Sequence, residues 1–336
     1  MTLGIESSCD ETSVALTEGR RVLANCVTSS VHLHSKYGGI VPEIASRYHV
    51  EYISYVLSSA LKDAKKKLKD VELVAVTRGP GLIGALLIGV STAKALSYAL
   101  GVPLIGVNHV LAHIYSIFLG RKSEVRFPFI GLAVSGGHTS LYLCKGFRRL
   151  KLLGQTQDDA LGEAYDKVAK ILGLGFPGGP IVEKAARASK GRSRIKFPKT
   201  YLEDDSLDFS FSGIKTAVLY YVRDKGGNIP RCDKALIADI CRAFQESVLD
   251  GLVEKTMLAC RRERVTRVVV GGGVSANNEL RRKLHDAAQA SGISAYFPDM
   301  RYCTDNAAMV GLLGEALYKR GVRSDLYMTT EANLKI

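Results

Sequence analysis

"LGIESSCDETSVAL", residues 3–16, and "IGLAVSGGHTSLYL", residues 130–143, align without a gap. Gly4, Ser8, Thr12, Ser13 and Leu16 of the first match Gly131, Ser135, Thr139, Ser140 and Leu143 of the second. In both, apolar runs flank a small polar turn, the pattern of strand, turn and strand. Each opens what would be one half of a chain of 336 residues, a length better suited to two lobes than to one core. The pair predicts two related lobes, each beginning with a β-hairpin whose turn faces a shared cleft.

Working outward, strands alternate with helices. "VELVAVT" (71–77) reads as a buried strand, "GPGLIG" as a tight turn and "ALLIGVSTAKALSYALG" as a helix closed by a Gly C-cap. "PLIGV" (103–107) is the next strand, and Asn108 caps the helix after it. Further on, "RVTRVVV" (264–270) is a strand, "GGGVSANN" a glycine loop and "ELRRKLHDAAQASG" a helix. Strands followed by helices imply an α/β fold with a largely parallel sheet. Two related lobes around a cleft are the architecture of the actin-like and sugar-kinase (ASKHA) superfamily, which holds a nucleotide between them. The expected division is an N-terminal lobe over 1–125, a C-terminal lobe over 126–305, and a helix and tail over 306–336 packing back across the lobes.

Composition narrows the function. The formal charge is +13, from 46 Lys+Arg against 33 Asp+Glu. An enzyme of small neutral metabolites has no need of this, whereas a polyanionic partner does, and nucleic acid is the usual one. The plainer alternative is a basic but inert surface. Basic clusters stand at "KGFRRLK" (145–151), "KGRSRIKFPK" (190–199) and "RRER" (261–264), and Arg192, Arg194 and Lys196 are expected to meet phosphates. The seven cysteines are odd in number and form no CxxC pair, which argues for reduced thiols in a cytoplasm. "LIGALLIGV" (82–90) is too short to span a bilayer and soon meets Lys94. No charged-then-apolar leader is expected at the N-terminus.

Three glycine turns carry candidate chemistry. "VSGGHTS" (134–140) offers successive backbone N–H groups suited to an anion such as phosphate. "GGGVSANN" (271–278) lies between strand and helix, where a helix N-terminus favours a phosphate or a polar sugar. "FPGGP" (176–180) opens a further helix. Each alone also reads as an ordinary tight turn; together they favour a bound nucleotide. None matches the Walker pattern or GxGxxG.

"GVNHVLAHIYS" (106–116) places His109 and His113 four apart on a helix. Val110, Ile114, Ile117 and Phe118 gather on one side of the wheel and the histidines on another. A helix N-terminus disfavours imidazolium, so neutral, metal-competent rings are expected. H-E-x-x-H is absent, which speaks against a metalloprotease. Asp305, in "YCTDNAAM" (302–309), is the candidate third ligand.

Taken together, "GIESSCDET", "HSKYGGIVPEIASRYH", "GPGLIGAL", "NHVLAH", "SGGHTSL", "GEAYDKVAKILGLGFPGGP", "DFSFSGIKT", "GGGVSANNELR" and "CTDNAAM" resemble the TsaD family from about residue 3 to residue 315. "HSKYGGIVPE" is similar to its bacterial and organellar branch, of which bacterial is the simpler choice. The resemblance implies transfer of a threonylcarbamoyl group from threonylcarbamoyl-adenylate to N6 of the adenosine 3′ of the anticodon, in tRNAs reading codons that begin with A. It implies one iron or zinc ion on His109, His113 and Asp305. It implies adenylate contacts from Val134, Ser135, Gly136, Gly137 and His138, from Asp166, Gly179 and Asn277, with ATP or AMP able to occupy the same cleft. Glu183 stands where many bacterial members have Asp, and its longer carboxylate would reach a ribose hydroxyl. The acidic pair Asp10 and Glu11 is the one the family needs for activity. The implied partners are tRNA, a paralogous TsaB-like subunit, a small TsaE-like ATPase and a TsaC-like enzyme supplying the adenylate, in the cytoplasm and away from membranes. Two other classes compete: an actin-fold ATPase or phosphotransferase, and a nucleotide-binding scaffold of a complex.

Overall fold

The computed structural model describes residues 1–120, 125–189, 195–198, 205–225 and 233–336. The chain divides into two compact units, one of residues 1–126, 145–150 and 298–336, the other of residues 127–144 and 151–297.

The first unit is built on a five-stranded sheet in the order β3-β2-β1-β4-β5. Its strands are β1 (Thr2–Glu6), β2 (Glu11–Glu18), β3 (Arg21–Ser29), β4 (Leu73–Gly79) and β5 (Leu104–Asn108). β1 runs antiparallel to β2 and parallel to β4, and β4 runs parallel to β5. Around it lie α1 (Val31–His34), α2 (Pro42–Asp63), α3 (Ile83–Leu100), α4 (His109–Tyr115) and, from the chain's far end, α10 (Ala307–Tyr318). Period-two alternation decides what each face of β1 meets. Leu3 and Ile5 are fully buried with Ile53, Val56 and Ala60 of α2 and Val90 and Ala93 of α3. Each of these leucine, isoleucine and valine side chains contributes roughly 1.5–3 kcal/mol of burial. Gly4 points the other way, where a Cβ would come within 2.2 Å of the Ala307 carbonyl. That close approach lets α10 settle on the sheet.

The second unit has strands β6 (Phe129–Val134), β7 (Thr139–Gly146), β8 (Arg149–Gln155), β9 (Arg267–Gly271) and β10 (Ser294–Tyr296). Its helices are α5 (Leu161–Ile171), α6 (Gly178–Arg187), α7 (Ser212–Asp224), α8 (Lys234–Arg262) and α9 (Asn278–Ala290). The sheet order is β10-β9-β6-β7-β8. Read from the other edge, it repeats the first order with every strand number raised by five. The two hairpins keep the same register as well: Gly4 pairs with Ala15, and Gly131 with Tyr142. The ungapped alignment of 3–16 with 130–143 is therefore a structural equivalence.

Helix α3 is closed at Gly101 in the left-handed conformation, as expected. It runs further than the short apolar segment suggested. By length and composition Ile83–Leu100 is long and apolar enough to cross a membrane. In the fold it packs on β4 and α2, burying Ala85, Leu86, Gly89, Val90, Ala93 and Ser97.

Candidate active site

Asn108 ends β5, and its side-chain oxygen accepts the Leu111 N–H at 3.1 Å, so α4 begins at His109. One turn apart, the His109 and His113 rings lie 4.6 Å apart at 79°. Asp305 arrives two residues before α10, whose first turn is capped by the Asn306 side chain on the Met309 N–H. The Asp305 carboxylate lies 2.9 Å from His113 Nε2 and 3.6 Å from His109 Nε2. One ligand atom from each of the three residues falls within 4.8 Å of the others.

Every residue of α4 is buried, with His109 only 6% and His113 only 2% exposed. The wheel reading of a packed apolar face and a separate histidine face is thus corrected, because neighbours enclose the helix on all sides. What turns the His109 ring toward Asp305 is Glu6. Fully buried at the end of β1, Glu6 accepts the Ser8 N–H at 2.7 Å and the Thr77 hydroxyl at 2.6 Å. His109 Nδ1 lies 3.0 Å from the same carboxylate and 3.2 Å from Ser8 Oγ. Nδ1–H donates to Glu6, leaving Nε2 directed at Asp305, the arrangement that orients metal-ligating histidines. His113 Nδ1 is buried without a hydrogen-bond partner among the described residues. Two buried imidazoles and a half-buried carboxylate, clustered together, fit iron or zinc.

Burial alone would push His109 down, but the Glu6 and Asp305 charges and the bond to Glu6 raise it to about 9. The helix N-terminus is therefore outweighed by two carboxylates: without a metal the ring carries a proton, which a metal must displace. Burial likewise pushes Glu6 up, yet His109 holds it below the usual carboxylate value.

Of the acidic pair, Asp10 ends the turn between β1 and β2 and Glu11 opens β2. Asp10 accepts the Ser29 hydroxyl at 3.3 Å, and its carbonyl takes the Ser30 N–H at 2.9 Å. Burial, then Asp305 and Asp10, raise Glu11 well above the usual carboxylate range. Two histidines of the "HSKYGGIVPEIASRYH" segment brace this turn. His49 Nε2–H donates to the Cys9 carbonyl at 2.9 Å, so its Nδ1 accepts the Thr12 hydroxyl at 2.6 Å. His34 Nδ1 accepts the Val41 N–H at 3.2 Å, and its Nε2 donates to Ser30 Oγ at 3.0 Å.

The glycine turns meet in the second unit. Val134 ends β6, and the Ser135 N–H donates to the His138 carbonyl at 2.8 Å while the His138 N–H donates to Ser135 Oγ at 3.1 Å. The Ser135 and Gly136 carbonyls accept the Gly162 and Glu163 amides, seating the loop on the start of α5. A Cβ on Gly162 would lie 2.7 Å from the Ser135 carbonyl, so only glycine permits that seat, whereas added Cβ atoms on Gly136, Gly137 and Gly179 meet nothing within 4 Å. Asp166 accepts the Gly178 N–H at 2.6 Å, fixing α6 and with it Gly179. Asn277 caps α9 through Leu280 N–H at 2.9 Å and donates to the buried Gln245 at 3.2 Å. Glu183 accepts from Asn278 N–H at 3.1 Å and pairs with Arg187.

Glu6, His34, His49 and Gln245 were missed in the sequence. Glu6 alone left a signal, a charge closing an otherwise apolar strand. Of the basic clusters, Arg192 and Arg194 lie outside the described residues and Lys196 is exposed. In "RRER", Arg262 pairs with Asp205, and Glu263 takes Lys151 of "KGFRRLK". Among the described residues no two cysteines are joined in a disulfide, and Cys232 lies outside the described residues.

Solved structures share the fold. HypF from T. kodakarensis superposes with a TM-score of 0.63 at 15% identity, covering 95% of this chain and 48% of that one. Full-length HypF in a phosphate- and nucleotide-bound form gives 0.60 at 16%, covering 95% and 46%. The chain thus spans about half the length of these HypF proteins. The activator of 2-hydroxyisocaproyl-CoA dehydratase from Clostridium difficile gives 0.51 at 14%, covering 96% and 98%. At such identities the likeness is one of fold alone: two α/β lobes of the actin-like, sugar-kinase type. Sequence relatives are much nearer. The tRNA N6-adenosine threonylcarbamoyltransferase of Thermodesulfovibrio yellowstonii is 50% identical over 339 residues, covering 100% of both chains. That of Dictyoglomus turgidum is 49% identical, covering 99% and 98%, and that of Thermosipho africanus 44%, covering 100% of both. The family described as TsaD matches residues 21–312, and with these relatives it settles that the chain belongs to the family of tRNA N6-adenosine threonylcarbamoyltransferases.

Proposed function

We propose that this protein is an acyltransferase that moves the threonylcarbamoyl group of threonylcarbamoyl-adenylate to N6 of the adenosine 3′ of the anticodon, in tRNAs reading codons that begin with A. The observation that carries it is the clustered triad of His109, His113 and Asp305 in a chain half identical to relatives of that name. Those three residues would hold an iron or zinc ion. When bound, such an ion supplies Lewis acidity toward the carbamoyl carbonyl.

The chain's own groups supply the rest. The amine nitrogen attacks the carbamoyl carbon, the carbon–oxygen bond to phosphate breaks, and AMP leaves. Backbone amides of Gly136 and Gly137 offer donors for the phosphate, those of Ser135 and His138 being bonded within the loop. Gly179 and Asn277 stand at the starts of α6 and α9 and Asp166 and Glu183 lie within α5 and α6, and their part is to hold the ribose and base. Asp10 accepts the proton lost by the amine, while Glu11, raised by burial and its acidic neighbours, keeps its own. A TsaB-like subunit, a TsaE-like ATPase and an adenylate supplied by a TsaC-like enzyme complete the proposal, with the cytoplasm as its place.

Reconstitution tests it: unmodified tRNA, threonine, bicarbonate, ATP and those partners, followed by nucleoside mass spectrometry. Threonylcarbamoyladenosine is expected only when this chain is present. ATP turnover without tRNA and without modified nucleoside would favour the phosphotransferase reading.

A further inference from the structure

One face of the first unit is both basic and aromatic, and it is assembled from segments far apart in the sequence. Arg20, in the turn between β2 and β3, sets its guanidinium 5.0 Å from the centre of the Phe118 ring. Phe118 lies 5.6 Å from Phe147, and Arg320 stands 4.5 Å over Phe147. Arg148 donates to the Arg320 carbonyl at 3.0 Å. Beneath them the Tyr115 ring lies 4.8 Å from Phe147, and its hydroxyl donates to the Gly146 carbonyl at 2.9 Å.

Arg20, Arg148 and Arg320 are exposed, and among the described residues none of them pairs with a carboxylate. Their neighbours do: Lys319 pairs with Glu315 and Lys151 with Glu263. A merely solvated charge would be a long side chain free to move. Here rings and main-chain carbonyls hold the guanidiniums in place, so little rotamer entropy remains to be lost when an anion binds. Planar guanidiniums with spare N–H donors match phosphate oxygens two at a time. Several set along one face match a row of phosphates rather than a single one.

The position adds a reason. Tyr115 closes the helix that His109 opens, six residues later, which is about 9 Å along the axis. A backbone laid on this face passes near the triad.

We infer that the face formed by Arg20, Arg148 and Arg320 around Phe147 docks the phosphodiester backbone of the RNA substrate. This rests on the reading that the substrate is a tRNA, and it names the surface that receives it. Such contacts orient the RNA without reading its bases.

The test is a set of binding titrations of the full chain with an unmodified tRNA transcript at several salt concentrations. Wild type is compared with the triple variant Arg20→Ala, Arg148→Ala, Arg320→Ala. A charge-matched control replaces Lys62, Lys66 and Lys69, exposed on another part of the unit, with Ala. Each lost phosphate contact removes roughly 0.7–0.9 from the slope of log affinity against log salt. The triple variant is expected to be shallower by about 2 to 3, so a fourfold rise in salt costs the wild type roughly 20 to 40-fold more affinity than the variant. The control should keep the wild-type slope, and AMP binding and metal content should stay unchanged in both. Equal slopes for wild type and triple variant overturn the inference, even if the variant loses an acidic protein partner instead. If wild type binds no tRNA at any salt, the reading of the substrate fails too, which an unchanged slope alone would not show.

Discussion

A carboxylate at the end of a buried strand is costly unless hydrogen bonds and a charge take up what water would have supplied, and Glu6 has all of these from Ser8, Thr77 and His109. Its consequence is geometric: with Nδ1 of His109 occupied, only Nε2 faces Asp305. His113→Ala should therefore abolish metal binding, read by elemental analysis of purified protein as loss of the near-stoichiometric iron or zinc expected in wild type. Full occupancy in a His109→Ala, His113→Ala double variant would remove the metal from this site. Glu6→Gln keeps the shape of the network but loses its charge. It should weaken metal affinity by about 10 to 100-fold, the usual cost of a lost outer partner, with a visible change in the cobalt-substituted spectrum. An unaltered spectrum and affinity would make Glu6 a packing residue only.

At the scale of elements, the loop from 135 to 138 separates two kinds of glycine. Gly137 has open space where a side chain would begin, whereas Gly162 has the Ser135 carbonyl 2.7 Å away. Gly137→Val should leave the melting temperature near that of wild type and lower AMP or ATP affinity at least tenfold, because the branched side chain projects where a ligand approaches. Gly162→Val should instead lower the melting temperature by several degrees, since loop and helix must separate. Isothermal titration beside thermal unfolding distinguishes them; unchanged nucleotide affinity in Gly137→Val would reduce the loop to a hairpin turn.

For the whole molecule, one part of the response of stability to acid comes from histidines buried as neutral rings. Burial lowers both His49 and His34, while in the unfolded chain each titrates near 6.5. Below that value the unfolded state binds protons that the folded state refuses, so unfolding becomes easier as pH falls. His109 and Glu11, raised in the fold, act in the opposite sense, so the expected readout is the difference between proteins. From about pH 7.5 to 5.5 the urea midpoint of His49→Gln should fall less, or rise more, than that of wild type. A variant with the same pH slope as wild type would show that His49 does not titrate on unfolding. Since His49 holds Cys9 and Thr12 on either side of Asp10 and Glu11, activity of that variant should suffer at every pH.

What the amino-acid sequence settles alone is local and periodic. Alternation and a shared polar turn disclose both hairpins, because strand faces have a period of two. Spacing by four brings His109 over His113, and Asn108 announces the cap, because helical geometry is the same everywhere. The glycine turns are visible for a similar reason: few other residues tolerate such close backbone approaches. Tertiary structure decides the rest. Asp305 meets His113 across 192 positions, and Glu6 meets His109 across 103, through strand order and the seating of α10, which no local pattern encodes. The enclosure of α4 on every side, and the proton that Glu6 and Asp305 hold on His109 against that burial, depend on neighbours brought by the fold. Arg320 joins Arg148 and Phe147 only because residues 145–150 and the end of the chain fold into the same unit. Packing closes such contacts, and packing is a property of the whole chain.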